Sequence, residues 1–391
     1  MFLRKRYLIF LRDVFFLAIT AFGGPQAHIA MILKIMVQKR NYITEEELFE
    51  LNALCQILPG PTSTQTITAI GFRVGGAKLA YATLLIWCLP ALTIMTLAAV
   101  FVTFLEHHHI SMSFTKYIQP MAIGFVAYAA YMISSKVVTT RIGVTLMVIS
   151  SFISYVYGTP WILPLLLLAG GLITAINYQN QPVEDKIPVK IKWANFYLFI
   201  GVFILAAGLG AITHSLYFRV FENFYRNGSL IFGGGQVLIP LMYKEFVEFK
   251  HLLTAQEFFS GFAIAQAVPG PVFSFCSYIG VLIFRDQGIS GQLLGAFISA
   301  AGIFLPGTFL IFFVIRFWTS LKRYRGIKAS LEGINGVSSG LVISSAIAMF
   351  YQVPPDPLNY IVVFVTLLLL LWDVIPHPII ILGGLVAGFV F

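Results

Sequence analysis

The stretch Phe22-Gly23-Gly24-Pro25-Gln26 recurs 210 residues later as Phe232-Gly233-Gly234-Gly235-Gln236, and Pro59-Gly60-Pro61 recurs as Pro269-Gly270-Pro271. The register between these motifs holds without a gap, since residues 22–61 and 232–271 share fifteen identities in forty positions. A duplicated unit with glycine and proline breaks at matched places in apolar segments is typical of secondary transporters and of their substrate sites. The repeat therefore predicts both the fold class and the region of the site.

The composition is that of a membrane protein, with 58% hydrophobic and 10% charged residues. Apolar stretches of about 18 or more residues, each long enough to cross a bilayer core, recur along the whole chain. The net charge of +9 comes from basic residues scattered through short loops. This pattern indicates the positive-inside bias of membrane proteins rather than a nucleic-acid surface. Cys55, Cys88 and Cys276 stand at unrelated spacings and predict neither a disulfide nor a zinc site.

The chain divides into two halves around a polar linker. We predict an N-terminal transporter repeat over 1–178, a linker with one extra transmembrane span over 179–216, and a C-terminal repeat over 217–391. Each half contains about six helical elements, so the single unpaired span makes the second half enter the membrane from the opposite side. The predicted fold class is an all-α polytopic membrane protein with two inverted-topology repeats.

Loop charges support this topology. The loop after the third element of the first half carries Lys116 and little else that is basic. Its counterpart in the second half carries Arg316, Lys322, Arg323, Arg325 and Lys328. The positive-inside rule then places the N-terminus in the cytoplasm and the C-terminus outside. The N-terminus mimics a signal peptide, but cleavage after Ala21 would fall just before the repeated motif, so we expect the segment to be retained.

The Pro-Gly-Pro motifs each end one half-helix and start another, because proline blocks the helix before it and glycine lets the chain turn. Such breaks are tolerated in hydrocarbon only where protein or a wet cavity satisfies the backbone. The first two elements of each half either span the membrane or turn back as re-entrant hairpins, and we favour broken or re-entrant elements. Their arms of about 12–13 residues, roughly 18–20 Å, would reach the bilayer midplane. Single prolines such as Pro90 are interpreted as packing kinks.

The new half-helices begin at about Pro61 and Pro271, where free amides and the positive dipole end make a ready anion site. Hydroxyl groups follow the first break, and glutamines flank the breaks at matched positions, where each offers two donors and one acceptor. The predicted substrate-binding residues are Gly23, Gly24, Gln26, Gln56, Pro59, Gly60, Pro61, Thr62, Ser63, Thr64, Gly233, Gly234, Gln236, Gln266, Pro269, Gly270, Pro271 and Ser274. The second copy has fewer hydroxyls, so we expect unequal half-sites.

Three further features have two interpretations each. His28, whose counterpart is Leu238, either carries a coupling proton or is a hydrogen-bonded structural histidine. Glu47 and Glu257 either contact the ligand or simply suit a helix N-terminus. His107-His108-His109 resembles a metal tract, but consecutive histidines do not face one point and only one acid lies beside them. We expect no metal, no cofactor and no catalytic residue, and hence no enzyme.

These motifs at this spacing resemble the signatures of the chromate ion transporter family in its two-domain form, and the resemblance covers essentially the whole chain. The resemblance implies an inner-membrane transporter of chromate that exports it from the cytoplasm and gives resistance, with sulfate as a chemically similar oxyanion. It also implies antiparallel halves. The expected partners are a small inorganic oxyanion and the lipid bilayer, without nucleic acid; the sequence permits a homodimer without requiring one.

The expected mechanism is alternating access, in which two opposed half-helix N-termini share the dianion and the two Pro-Gly-Pro motifs approach each other. Uptake or exchange of sulfate or molybdate by the same scaffold is one alternative. A passive anion channel is a second. A membrane enzyme acting on a lipid phosphate is a third, although it would need a catalytic acid or nucleophile that the sequence around the breaks does not offer.

Overall fold

The computed structural model consists of helices and the segments that connect them over the residues that it describes, which are 2–22, 24–108, 116–157, 162–176, 178, 191–232, 235–318, 324–351, 353, 355–372 and 375–390. In the first half the helices are α1 (Phe2–Thr20), α2 (Gly24–Ile32), α3 (Glu45–Ile57), α4 (Thr62–His107), α5 (Ile118–Val137), α6 (Arg141–Tyr157) and α7 (Ile162–Ile176). Helix α2 continues as a π-helix over Leu33–Lys39.

Helix α8 (Ala194–Thr213) connects the halves at the place of the predicted extra span. The second half contains α9 (Leu216–Leu230), α10 (Gly235–Tyr243), α11 (Ala255–Ala267), α12 (Phe275–Ile283), α13 (Gly288–Val314), α14 (Arg325–Phe350), α15 (Pro357–Trp372) and α16 (His377–Val390). Helix α10 continues as a π-helix over Lys244–Phe249, which matches the π-helix after α2.

Four helical stretches are long and apolar enough to cross a membrane: 62–105, 194–213, 285–314 and 325–350. Several shorter apolar helices accompany them. Large apolar side chains lie on the outside of these helices, including Leu85, Phe152 and Leu168, where a soluble protein would carry polar groups. The chain is therefore an all-helical membrane protein, as the composition predicts.

The helices are interrupted at all four predicted motifs. Helix α1 ends at Thr20 and α2 begins at Gly24, while α3 ends at Ile57 and α4 begins at Thr62. The second half repeats both interruptions, between α9 and α10 and after α11. Helices α3 and α11 each have 13 residues, or roughly 20 Å at 1.5 Å per residue. Re-entrance of these elements and inversion of the repeats stay predictions.

Glycines with positive φ separate the second and third elements of each half. Within α4 the helical geometry breaks at Gly75 and Gly76, and Gly76 has a φ of +71°. At the corresponding place of the second half Gly288, the first residue of α13, has a φ of +66°. This backbone region favours glycine because it has no Cβ. The break divides α4 into two helical segments, 62–74 and 77–107.

Matching capping boxes begin α3 and α11. The amide of Thr44 donates to Glu47 Oε2 at 2.9 Å, and the amide of Glu47 donates to Thr44 Oγ1 at 3.2 Å. Thr254 and Glu257 make the same two bonds at 2.7 and 3.2 Å. The matched glutamates thus satisfy otherwise free amides of the first helical turn. Of the two interpretations from the sequence, the structure supports the helix N-terminus.

The chain forms two compact units. Unit 1 comprises Met1–Ile110, Lys192–Gly235 and Ile264–Ile315, and within it α1 packs on α4 while α9 packs on α13. Unit 2 comprises Ser111–Ile191, Gln236–Ala263 and Arg316–Phe391, and within it α14 packs on α5, α6 and α7. The sequence limits of the two repeats remain a prediction, since they describe the duplication rather than the packing.

Small residues allow the close approach of helices in unit 2. A Cβ added to Gly336 of α14 would lie 2.8 Å from the carbonyl oxygen of Gly143. A Cβ added to Gly333 would collide with the carbonyl of Gly170, and one on Gly340 with that of Met147. Backbone contact through glycine at such spacing is a common means of packing helices in membranes.

Candidate functional site

The first Pro-Gly-Pro break is hydrogen-bonded to the second half of the chain. The amide of Gly60 donates to the carbonyl oxygen of Ile231 at 2.8 Å, just before the second Gly-Gly motif. Gly60 has a φ of +117°, which side-chain-bearing residues rarely adopt. A Cβ at this position would also lie 2.8 Å from Gln65 Nε2 and 3.5 Å from the Cα of Gly307.

The second break makes the reciprocal bond to the first half. The amide of Gly270, whose φ is +101°, donates to the carbonyl oxygen of Ala21 at 2.8 Å. A Cβ on Gly270 would lie 3.1 Å from the Cβ of Ala91. Ala21 and Ile231 stand 210 residues apart, as do Gly60 and Gly270. The two hydrogen bonds are therefore equivalent under the sequence repeat.

Each Pro-Gly-Pro break thus contacts residues of the other half, and we call these contacting residues the seat of that break. The seat of Gly60 consists of Ile231 and Gly307, and the seat of Gly270 consists of Ala21 and Ala91. Ala91 follows Pro90 within α4, and Gly307 follows Pro306 within α13. All of these residues belong to unit 1. The pairing uses one amide of each break, so that amide contacts protein rather than an open site.

A polar network surrounds the first break. The imidazole of His28, only 2% exposed, contacts Ser63 Oγ through Nδ1 at 3.0 Å and the carbonyl oxygen of Ala21 through Nε2 at 3.1 Å. In the tautomer that satisfies both contacts, Nε2–H donates to Ala21 and Ser63 donates to Nδ1. Ala21 is also the acceptor for Gly270. His28 therefore connects the first half-helix N-terminus to the carbonyl that holds the second break.

Trp87 extends this network. Its indole Nε1–H donates to Thr64 Oγ1 at 3.1 Å, and its ring meets the His28 imidazole edge to face at 5.4 Å between centroids. Two matched positions of the second copy are apolar, with Leu238 in place of His28 and Phe273 in place of Ser63, while Thr64 is matched by Ser274. Ser274 is buried between Phe273 and Phe275. The polar groups are thus concentrated at the first break.

Gln65 lies at the first break beside the candidate residues, although the substrate-binding residues predicted from the sequence do not include it. Its Nε2 donates to the carbonyl oxygen of Pro59 at 2.7 Å and so closes the break. The side chain is 3% exposed, and its Oε1 accepts no hydrogen bond from the part of the chain that the structure describes. A buried amide oxygen usually finds a donor. The sequence feature that points to Gln65 is its position within the polar run 62–66.

The other predicted residues divide by position. Pro59, Pro61, Thr62, Ser63 and Thr64 are buried around the first break. Pro271 is buried and Pro269 half-buried at the second break. Gly24 begins α2. Gly23, Gly233 and Gly234 lie outside the described residues, as do the side chains of Gln26 and Gln236. Gln56 is exposed and Gln266 half-buried. Ligand contact by these residues stays a prediction.

Ion pairs hold the segment after each π-helix. In unit 1 Arg40 contacts Asp13 through two nitrogens, at 2.8 and 3.0 Å, and Tyr42 donates to the same carboxylate at 3.0 Å. Burial, and then the hydrogen bond to Asp13, raise the pKa of Tyr42 to about 12. In unit 2 the matched residue Lys250 contacts Glu245 at 2.9 Å. These charges are paired within the protein, so we assign them to structure rather than to the ligand.

The histidine tract shows no sign of a metal site in the described residues. His107 and His108 are exposed at the end of α4 with their ring centroids 5.5 Å apart, and His109 lies outside the described residues. No group of three potential metal ligands occurs in the part of the chain that the structure describes.

The broken apolar helices and the seats exchanged between repeated motifs define a polytopic helical membrane protein built on a duplicated unit. The chain belongs to the chromate transporter family: the family model described as "Chromate transporter" matches residues 8–175 and 218–389. The two matched regions correspond to the two predicted halves.

Relatives match along nearly the whole chain. An uncharacterized transporter of Methanocaldococcus jannaschii is 25% identical over 95% of this chain and 91% of its own. A probable chromate transport protein of Synechococcus elongatus is 24% identical over 95% and 92%. A chromate transport protein of Cupriavidus metallidurans is 25% identical over 99% and 93%. No solved structure shows a significant match.

Proposed function

We propose that this protein is a secondary transporter of a tetrahedral oxyanion, and that its main activity is chromate efflux across the cytoplasmic membrane by alternating access. Family membership and the relatives described as chromate transport proteins support the substrate class. Uptake or exchange of sulfate by the same scaffold is the alternative. The protein acts as a transporter rather than as an enzyme.

The observation that carries the proposal is the reciprocal seating of the two breaks. Gly60 bonds to Ile231 and Gly270 bonds to Ala21, so the broken segments of the two halves are interlocked within unit 1. In transporters with inverted repeats the substrate site lies at the interface of the repeats, where discontinuous helices meet, so the contact between the two breaks and the opposite halves supports a site at this place. The half-helix N-termini after Pro61 and Pro271 then supply the amides and positive dipole ends for the anion.

The chemistry around the first break suits a dianion. Hydroxyl and amide groups of Thr62, Ser63, Thr64 and Gln65 surround the N-terminus of α4, and the sequence has no carboxylate between residues 51 and 73. A fixed negative charge there would repel the substrate strongly in a medium of low dielectric constant. In our proposal the two halves move relative to each other, and the hydroxyls exchange their protein partners for the oxyanion.

The membrane potential provides enough free energy for export. Moving one charge through 100 mV corresponds to about 2.3 kcal/mol, so a dianion leaving a negative interior gains roughly 4.6 kcal/mol. We therefore propose export driven by the potential, with ion coupling by His28 as an additional rather than a required element. The proposed location is the inner membrane, with the N-terminus in the cytoplasm.

The proposal is tested with purified protein in liposomes under an imposed potential, positive inside, using labelled chromate and sulfate. We expect saturable uptake of chromate that depends on the potential. The Gly60→Ala/Gly270→Ala variant should lose most of this uptake, because alanine is strained at both positive φ values and meets the opposing seats.

A matched control is the Gly201→Ala/Gly208→Ala variant, since a Cβ at either glycine of α8 meets nothing within 4 Å. This control should transport at the wild-type rate. Failure of wild-type protein to move either anion would refute oxyanion transport. Rates near the diffusion limit without saturation would instead indicate a channel.

A further inference from the structure

A cavity of about 120 Å³ lies within unit 2, separate from both Pro-Gly-Pro breaks. Its lining consists of Ser154, Tyr155, Pro240, Tyr243, Lys244, Glu248, Ser344, Ser345 and Ala348. The residues come from α6, from α10 with its π-helix, and from α14. A cavity needs about 10–15 Å³ of such volume to hold one water molecule, so this one has room for a small hydrated ion.

Lys244 is the cationic group of this cavity and is only 7% exposed. Its Nζ donates to the carbonyl oxygen of Ser154 at 2.8 Å and to Ser154 Oγ at 3.0 Å. An ammonium group has three donors, so these two bonds fix its position and leave a third donor. Ser344, which is 1% exposed, and half-buried Ser345 bring further hydroxyl groups to the same wall.

The duplication provides an internal comparison for Lys244. The matched residue of the first half is Lys34, which is exposed on the corresponding π-helix. At position 248 the second half has a glutamate, where the first half has Gln38. The same lysine is therefore held in a polar cavity in one copy only. Single π-helical turns within helices occur frequently at functional sites.

We propose that this cavity binds a small inorganic oxyanion, with Lys244 and the serine hydroxyl groups as donors and Glu248 as a competing carboxylate on the same wall. Its location makes it a second anion site besides the one at the breaks. An ammonium with surrounding hydroxyls is a suitable donor set for an oxyanion, and charge-assisted hydrogen bonds are stronger than neutral ones. The negative charge of Glu248 keeps the affinity moderate, so that a transported ion can leave. The ligand class rests on the proposed function, but the cavity itself does not.

The test uses a cysteine placed in the cavity at a position that carries no proposed donor, Ala348→Cys, and a negatively charged thiosulfonate reagent. The three native cysteines are buried and should react slowly. The probe ions are sulfate and molybdate, tetrahedral dianions that do not oxidise thiols, with chloride at equal ionic strength as reference. We expect sulfate or molybdate to slow the modification of Ala348→Cys severalfold. They should leave a Ser135→Cys control, on the exposed side of α5, unchanged.

Three variants and one matched control in the Ala348→Cys background identify the donor. Lys244→Met should raise the anion concentration for half-protection at least about tenfold, because it removes a charged hydrogen-bond donor. Lys244→Arg should keep most of the protection, which excludes a general loss of folding. Glu248→Gln should lower the concentration required. Lys34→Met is the matched control and should have no effect.

The outcomes separate this inference from the proposed transport activity. Equal protection with Lys244→Met, or no protection at all by either ion, would overturn the cavity site even if liposome uptake of chromate is normal. Protection that depends on Lys244 supports the site even if no chromate uptake is found, in which case the proposed function fails and the binding site stands.

Discussion

His28 shows how a single residue can give one copy of the repeat a property that the other lacks. It connects Ser63 at the start of α4 with the carbonyl of Ala21, which also accepts the amide of Gly270. The sequence identifies His28 as a candidate because its counterpart is Leu238. It cannot give the partners, because Ser63 and Ala21 come near His28 only when the broken helices have packed.

At this scale we expect His28→Leu to destabilise the protein by about 1–3 kcal/mol, because it leaves the buried hydroxyl of Ser63 without its partner. The measurement is unfolding in detergent for His28→Leu, Ser63→Ala and the double variant. The loss of unfolding free energy in the double variant should differ from the sum of the two single losses by at least about 0.5 kcal/mol, because substitutions of contacting residues do not have additive effects. If the two single losses add up to the loss in the double variant, the contact between His28 and Ser63 contributes nothing to stability.

Lys34 and Lys244 show that identical residues at matched positions of a repeat can differ in burial. The two lysines occupy matched positions in a gapless repeat, yet Lys34 is exposed and Lys244 is buried in a polar cavity. The difference comes from α6 and α14, which pack over Lys244 in unit 2. Since burial depends on residues far away in sequence, the residue type at a position does not predict whether that residue is buried.

Helix boundaries are the part of the fold that the sequence predicts well. The breaks at the Gly-Gly and Pro-Gly-Pro motifs, the 13-residue arms and the matched capping boxes follow from local preferences for glycine, proline, threonine and glutamate. The two π-helices were not predicted, because the apolar pattern of 33–39 and 244–249 fits an α-helix equally well. Their extra residue per turn depends on tertiary packing.

The capping boxes allow a prediction at the scale of the element. We expect Thr44→Ala and Thr254→Ala each to cost about 1 kcal/mol, because each removes the acceptor for an amide of the first turn. Thermal unfolding of the two variants should therefore shift by similar amounts. As a control, Glu46→Gln changes an exposed position in the first turn of α3 that takes no part in the box. A shift for this control as large as that for Thr44→Ala would contradict the capping explanation.

A second prediction concerns the glycines of α14. Gly336→Ala should destabilise unit 2 by about 1–3 kcal/mol, since the new methyl group meets the backbone of α6 and overpacks the contact. Gly201→Ala on α8 is the matched control, because its Cβ meets nothing within 4 Å. Unfolding in detergent measures both. Equal stability of the two variants would show that α6 and α14 can move apart at no cost.

The topology is a prediction for the whole molecule. We expect the N-terminus in the cytoplasm and the C-terminus outside, from the opposite charge bias of corresponding loops. A green fluorescent protein fused to the N-terminus should fluoresce, and alkaline phosphatase fused to the C-terminus should be active. A phosphatase fused after Arg325, within the predicted cytoplasmic cluster, should be inactive. An inactive phosphatase at the C-terminus would rule out inversion of the halves.

Because the seat of each break lies in the other copy, the sequences of the two copies cannot change independently. Gly60 rests against Ile231 and Gly307, and Gly270 against Ala21 and Ala91, so neither copy encodes the surface that receives its own break. A change that enlarges one break must be accommodated by a mutation in the other copy, over 150 residues away along the chain. The pairs 60–307 and 91–270 should therefore vary together across relatives, and a copy exchanged for that of a distant relative should fit only when its partner is exchanged with it.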